Sequence, residues 1–289
     1  MLRRRKSSGK GIGSRHRRVP WFSLGVFFLL FVCGLFPGLI APVDPLKANF
    51  AALNVPPLST AGGQFYLFGS DHLGRDVLSR IIHGASIALY VSLVAVLFSS
   101  VIGTTLGLLA GYFGGWIDQA VMRVADTWIA LPTVSFAIFL TALREPDATN
   151  IIIVMVLVFW TRYARIVRGE VLSLRERDFI KLAVTAGASP GRILFVHLLP
   201  NVINSVIVLA TLLIGNVILS EATLSFLGLG VPAPNPAWGA MLADGRNGLM
   251  SNRWWATIFP GLAIVLVVGA SNVTGDWLRR RLDPNLKNL

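Results

Sequence analysis

The sequence predicts an all-α membrane protein with six transmembrane helices and both termini in the cytoplasm. Three observations lead to this fold class: an apolar composition, six long apolar runs, and an uneven distribution of basic residues. Of the 289 residues, 54% are hydrophobic and 14% are charged, and the mean hydropathy is +0.67. Soluble domains carry about 25% charged residues, and a chain of this length could not cover so much apolar surface with polar groups. The composition therefore excludes a soluble enzyme, a disordered chain and a secreted disulfide scaffold.

Six apolar segments approach the length of about 20 residues that a helix needs to cross a bilayer. They lie near residues 21–40, 86–111, 128–143, 150–165, 201–227 and 254–275. The third is expected to kink at Leu131-Pro132, because proline cannot donate a backbone hydrogen bond. The fourth is short, and Arg162 and Arg165 are expected to reach from its end toward water. None alternates with a period of two, which predicts helices and not strands.

The basic residues orient these segments. With the amino end inside, the inner segments hold 20 Lys and Arg residues and the outer segments hold 6, as expected when basic loops stay in the cytoplasm. This predicts a basic cytoplasmic tail at 1–20, a six-span domain at 21–276 with an inner loop at 168–200, and a cytoplasmic tail at 277–289. The first apolar run is interpreted as a retained span, because it is longer than the core of a signal peptide and lacks a clear cleavage site.

The net charge of +12 is concentrated at the amino end, where the basic block directly precedes an apolar run. This position indicates a membrane flank and no nucleic-acid partner. The sequence contains no G-x-x-x-x-G-K-[ST], H-E-x-x-H or C-x-x-C motif, so it lacks the usual patterns that hold a nucleotide or a metal. We therefore expect no catalytic residue, no bound cofactor and no metal site in this chain.

The inner loop contains a short amphipathic helix. Asp178 is expected to cap its start, and Gly187 is expected to end it. Residues at the spacing i, i+3, i+4 and i+7 form one apolar face: Phe179, Leu182, Ala183 and Ala186. Ser189-Pro190 predicts the start of a second helix. The pattern allows two interpretations, a helix lying on the lipid interface or a helix that docks in the groove of a partner protein.

This loop resembles the signature of permease subunits of binding-protein-dependent ABC importers, in which E-A-A is followed after three residues by G and after nine more by I-x-L-P. The chain matches that signature at Ala183, Gly187, Leu199 and Pro200, and differs from it at Lys181, Leu182 and His197. Segments 68–80, 111–118 and 221–230 are similar to permeases of peptide and nickel importers. Together the resemblance covers nearly all of the chain after residue 20.

The resemblance implies a multi-pass protein of the bacterial inner membrane that works in a complex. The implied partners in and beside the lipid bilayer are a second homologous permease, one or two ABC ATPase subunits that bind ATP-Mg, and an extracytoplasmic substrate-binding protein. The short helix within residues 178–190 would be the coupling helix. The residues implied to couple it to the ATPase are Phe179, Leu182, Ala183, Ala186, Gly187, Ala188, Leu199 and Pro200.

The resemblance implies a short peptide as cargo, with nickel or a nickel chelate as the alternative. The apolar segments offer few ligands for nickel, whereas the fifth carries polar side chains suited to peptide amides, among them Asn216 and Ser220. Glu221 beside them is either a structural hydrogen-bond anchor or a pathway residue. A secondary transporter is a weaker hypothesis, because the sequence does not clearly show paired interrupted helices or several intramembrane ionisable residues.

Two further patterns concern packing. Gly103, Gly107 and Gly111 repeat every four residues along the second span, and small residues at this spacing let two helices approach closely. The neighbour is either another helix of this chain or the partner permease. Residues 77–82 have an apolar face with Arg80 opposite, which predicts a short helix on the outer membrane interface.

Overall fold

The computed structural model describes residues 19–143 and 147–282, which are mostly helical. The helices are α1 (Trp21–Leu35), α2 (Pro37–Ile40), α3 (Val77–Phe113), α4 (Gly115–Ala130), α5 (Thr133–Ala142), α6 (Ala148–Arg175), α7 (Asp178–Thr185), α8 (Pro190–Arg192), α9 (Leu199–Phe226), α10 (Trp238–Gly245) and α11 (Trp255–Leu282). Of the two tails that the sequence predicts, residues 1–18 and 283–289 lie outside the described part.

Four helical segments are long and apolar enough to cross a membrane: α3, α6, the continuous stretch Pro190–Phe226, and α11. A fifth is present if α4 and α5 are counted as one bent span. The helix α1 is apolar but has only 15 residues, which is shorter than the roughly 20 that a perpendicular span requires. Among the residues described, the structure thus contains four clear spans, one broken candidate and one short apolar helix.

The break between α4 and α5 is larger than the kink that the sequence predicts. The two helices meet at 95°, and Leu131 is extended, with φ −83° and ψ 134°. Proline disfavours the helical conformation in the residue before it and lacks the donor that would continue the helix, so Pro132 separates two helices. The predicted position of the bend is confirmed, but the helix is broken there and not only kinked.

The helix α6 is longer than the predicted fourth span, and it continues to Arg175. Arg165 Nη2 lies 2.7 Å from Asp126 Oδ1 on α4, and Arg168 pairs with Asp118 through both carboxylate oxygens. These ion pairs hold α6 against α4. The helix extends ten residues beyond Arg165, and the end of the membrane span at Arg165 stays a prediction.

Two other boundaries also differ from the sequence-based prediction. Residues 77–82 form the first turns of α3 and not a separate interfacial helix, and Asp76 caps this start by accepting hydrogen bonds from Ser79 N and Ser79 Oγ at 2.7 Å each. The fifth span begins at Pro190, eleven residues before the predicted start. In both places, a polar capping residue begins a helix that the apolar pattern alone places later.

The core of the bundle is built on the pair α3 and α6. A buried apolar cluster joins these two helices to α9, and it includes Val91, Phe159 and Leu213. A second cluster joins α1, α3, α10 and α11 around Trp238 and Trp255. The hydroxyl of Ser271 links α11 to α9 by accepting from Gly215 N at 3.0 Å and donating to Thr211 O at 2.6 Å.

The amino end of α3 lies beneath a folded cap, which we define as residues 41–76 and 227–254. The cap includes the antiparallel hairpin of β1 (Ser59–Ala61) and β2 (Gln64–Tyr66), with Thr60 opposite Phe65. Two indole groups attach it to the helices: Trp255 Nε1 donates to Ser70 O and Trp238 Nε1 donates to Ile81 O, both at 2.9 Å. The carboxyl end of α3 lies beside α7. Since α3 has 37 residues, about 55 Å of helix separates the cap from α7.

Candidate coupling site and polar residues of the bundle

The helix α7 ends in the sharp glycine turn that the sequence predicts. Gly187 has φ +80°, Ala188 N donates to Ala183 O, and Gly187 N donates to Val184 O, both at 3.0 Å. This is the pair of bonds of a Schellman motif, which requires a left-handed residue at the position of Gly187. The predicted cap at the other end was wrong by one residue: Asp178 is the first helical residue, after Arg177, and makes no capping hydrogen bond.

The two faces of α7 have different environments. Phe179 is 43% exposed and Leu182 is 69% exposed, Ala186 is also exposed, and Ala183 is half-buried. Ile180, in contrast, is only 1% exposed and joins the main core cluster. The structure therefore brings Phe179, Leu182 and Ala186 together as an apolar surface that the described part of the chain leaves uncovered.

Ile180 is the residue that the sequence analysis missed. With Val184, four residues later, it lines a cleft of about 560 Å³ against Tyr112, Phe113 and Pro190. Arg175 Nη1 closes one side of this contact by donating to Tyr112 O at 3.2 Å. The four-residue spacing of Ile180 and Val184 is the signal in the sequence for this second buried face. It is weaker than the apolar stripe through Phe179 and Leu182, which contains more residues.

Leu199 and Pro200 belong to α9 and not to the face of α7. Leu199 is half-buried against the main core cluster, and Pro200 is exposed. The turn before them, Ile193–Leu198, is π-helical, and Leu199 N donates to Leu194 O five residues back. Because Pro200 cannot donate to the carbonyl four residues back, a wider turn can be accommodated here. These two residues shape the start of α9, whereas Ala188 packs against the core just after the glycine turn.

The polar side chains of α9 around Glu221 make hydrogen bonds within that helix. Asn216 Nδ2 donates to Leu212 O at 3.0 Å, and Ser220 Oγ donates to Asn216 O at 2.8 Å. Glu221 is 1% exposed and accepts a hydrogen bond from Ser225 Oγ at 2.6 Å. Both residues lie on α9, one turn apart, so this bond joins no second helix, and the two roles that the sequence leaves open for Glu221 stay predictions. Asn216 and Ser220 are half-buried.

The three glycines of the predicted packing stripe lie against α6 of the same chain. A Cβ atom at Gly103 would lie 2.3 Å from Trp160 O, one at Gly107 would lie 2.6 Å from Ala164 O, and one at Gly111 would lie 2.7 Å from Val171 Cβ. Real Cβ atoms do not approach backbone oxygens so closely. The close helix contact is therefore internal to the chain.

The cap contains a buried charge cluster that the sequence analysis quoted only as part of a similar segment. Asp71 accepts from Arg75 Nε at 2.7 Å, from the backbone N of Leu73 and Arg75 at 2.9 Å each, and from Arg80 Nη1. Burial alone would raise the pKa of this carboxyl, but the guanidinium groups of Arg80 and Arg75 and the backbone donors hold the pKa below its ordinary value. Asp71 therefore remains a carboxylate that links the cap to the first turns of α3.

Comparison with known proteins agrees with this architecture. Residues 103–288 match the family described as the binding-protein-dependent transport system inner membrane component. The chain is 42% identical over 252 residues to a dipeptide transport system permease protein of Alkalihalophilus pseudofirmus (86% of this chain, 83% of the relative). It is also 42% identical over 267 residues to a di/tripeptide transport system permease protein of Pseudomonas aeruginosa (91% and 88%).

A third relative is the glutathione transport system permease protein of Pectobacterium atrosepticum, which is 40% identical over 266 residues (91% of this chain, 86% of the relative). The family match includes the glycine stripe, the loop at residues 168–200 and the last helix, and the relatives' matches also reach into the cap. The chain therefore belongs to the family of inner-membrane permease components of binding-protein-dependent ABC importers.

Proposed function

We propose that this chain is one of two permease subunits of an ATP-driven importer that carries short peptides delivered by an external binding protein. The observation that carries the proposal is the identity of about 40%, over most of the chain, to permeases named for dipeptide, di/tripeptide and glutathione transport. Asn216 and Ser220 would contribute polar groups to the passage, and Glu221 beside them would stay buried in α9, where it accepts a hydrogen bond from Ser225 one turn later.

The coupling role falls to α7. Phe179, Leu182 and Ala186 form an exposed apolar surface that would fill a groove on an ATPase subunit. On the opposite side, Ile180 fixes the helix to the core formed by α3, α6 and α9. A helix that is packed against the bundle on one face and docked in the ATPase on the other can transmit movement of the ATPase to the bundle, because it is in contact with both. Hydrolysis of ATP-Mg would occur in the ATPase subunits, with no catalytic group or cofactor from this chain.

The complex would lie in the bacterial inner membrane. It would contain this chain, a second homologous permease and one or two ABC ATPase subunits, and it would receive solute from the extracytoplasmic binding protein. We propose six spans, formed by α1, α3, the bent pair α4–α5, α6, α9 and α11, with both termini in the cytoplasm. This topology places the cap outside and α7 inside.

Reporter fusions should show this topology. Fusions after residues 60, 147 and 240 are expected to report an outside location, and fusions after residues 118, 180 and 289 an inside location, because the basic residues concentrate in the inner segments. Alkaline phosphatase and a cytoplasmic fluorescent protein give opposite signals in such fusions and control for each other. A carboxyl terminus found outside would contradict the six-span arrangement.

The cargo is tested by uptake into proteoliposomes that contain the complete complex. With ATP inside and binding protein outside, we expect accumulation of labelled Ala-Ala and no accumulation of labelled Ni²⁺. Complex without ATP and liposomes without complex provide the background. Uptake of Ni²⁺ without uptake of peptide, or without competition by peptide, would overturn the proposal and favour the nickel alternative.

A further inference from the structure

The cap contains an open cleft of about 550 Å³ that neither the coupling helix nor the polar residues of α9 explain. Three segments line it: the turn at Asp71 and His72 with Arg80 of α3, the carboxyl end of α10 at Asp244, and residues 246–253. Arg246 and Arg253 are exposed at the cleft. A volume of several hundred Å³ is suited to a small ligand such as a short peptide.

Basic residues outnumber acidic ones in the lining of this cleft once the ion pairs of Asp71 are set aside. Asp71 already accepts from four donors, which is about the number that one carboxylate can accommodate. Asp71 is therefore saturated by the cap itself. Arg80 is held in that same pairing, so the remaining charged residues of the lining are the basic Arg246 and Arg253 and the acidic Asp244.

Asp244 is a loosely held counter-ion. Its Oδ2 lies 3.7 Å from both Arg75 Nη2 and Arg80 Nη2, and its side chain is 42% exposed. This distance exceeds that of a hydrogen bond. The side chain of Arg80 is only 4% exposed, and its Nε has no hydrogen-bond partner among the residues described. Unlike Arg80, Arg246 and Arg253 have no ion-pair partner among the residues described.

From these contacts we infer that the cleft binds the terminal carboxylate of a short peptide at the cap. Arg246 and Arg253 would hold the carboxylate, since guanidinium groups bind planar oxyanions through paired hydrogen bonds. Asp244 lines the same cleft beside Arg75 and Arg80, and its exposed negative charge would repel the incoming carboxylate. The inference rests on the proposed peptide function and extends it to a ligand group and to named residues.

The test measures binding to the complete complex in lipid nanodiscs without the binding protein. The probe is N-acetyl-Ala-Ala, whose only charge is the carboxylate, and the matched control is its neutral carboxyl-terminal amide. We expect saturable binding of the acid and none of the amide. Arg246→Gln and Arg253→Gln should each weaken binding about tenfold, the effect of losing one hydrogen bond to a charged group.

Two further variants make the test specific. Asp244→Asn should strengthen binding of the acid, because it removes a negative charge of the cleft lining that repels the carboxylate. Lys47→Gln, which removes an exposed positive charge from the cap outside the cleft, should leave the affinity unchanged. Arg75 and Arg80 are not suitable targets, since their pairing with buried Asp71 contributes to folding and its loss would confuse the measurement.

Several results would overturn the inference: equal binding of acid and amide, wild-type affinity in both arginine variants, or weaker binding in Asp244→Asn. If the arginine variants instead lose affinity only for the binding protein, the carboxylate that the cleft accepts is a protein side chain, and the peptide assignment is wrong. Normal Ala-Ala uptake by the wild-type complex, combined with unchanged binding in the variants, would refute carboxylate binding at the cleft. The proposed function would remain intact. Ni²⁺ uptake in place of peptide uptake would refute the proposed function separately.

Discussion

Gly187→Val is expected to reduce ATP-driven uptake by about tenfold or more while the protein still inserts in the membrane. Gly187 has φ +80°, and a left-handed conformation costs an ordinary residue about 1–2 kcal/mol, with a higher cost for a β-branched one. No atom lies within 4 Å of the position of an added Cβ, so the effect arises from the backbone and not from a clash. The distorted turn would displace Phe179 and Leu182 from their docking position.

The measurement is peptide uptake in proteoliposomes, together with the ATPase activity that the binding protein stimulates. Gly191→Ala is the matched control, because Gly191 also has open space around it but has no positive φ. Gly187→Asn should retain most of the uptake, since asparagine tolerates the left-handed region. Wild-type uptake by Gly187→Val would contradict a coupling role and favour a helix that only lies on the lipid interface.

Gly103→Ala is expected to lower the stability of the folded protein by about 1–3 kcal/mol, the usual cost of overpacking. The added methyl group would lie 2.3 Å from Trp160 O and 2.5 Å from Tyr163 Cβ. The first of these is a backbone atom, so relief requires separation of α3 and α6, the two helices at the centre of the core. We expect a lower melting temperature in detergent and less protein in the membrane.

Gly169→Ala is the control for this substitution. It makes the same chemical change in the interior of α6, but no atom lies within 4 Å of its Cβ position. This variant should be neutral or stabilised by about 0.5–1 kcal/mol, because alanine is favoured over glycine in a helix. Equal melting temperatures for Gly103→Ala and wild type would show that α3 and α6 do not approach as closely as described here.

Features that depend on a few consecutive residues were predictable from the sequence. The turn at Gly187 follows from the need for a left-handed residue after α7, and the start of α8 follows from Ser189 and Pro190, where Ser189 Oγ accepts from Arg192 N. The apolar face of Phe179, Leu182 and Ala186 follows from helical spacing alone. The family resemblance follows from short segments of the same local kind.

Other features required the tertiary structure, because they depend on residues distant in the chain. The glycine stripe predicts a close helix contact, but only the fold shows that the neighbouring helix is α6 and not a helix of another subunit. Likewise, only the fold shows that Arg165 and Arg168 of α6 pair with Asp126 and Asp118 of α4, across 39 and 50 residues of sequence.

The same distinction applies to the two sites proposed here, the face of α7 and the cleft in the cap. The apolar face of α7 is encoded locally, as a pattern in eight residues, and the sequence by itself determined it. The burial of Ile180 beneath that helix and the saturation of Asp71 in the cap were decided by the tertiary structure. Burial and charge pairing are properties of the space between elements, and a periodic pattern specifies which side of a helix is apolar but not what covers it.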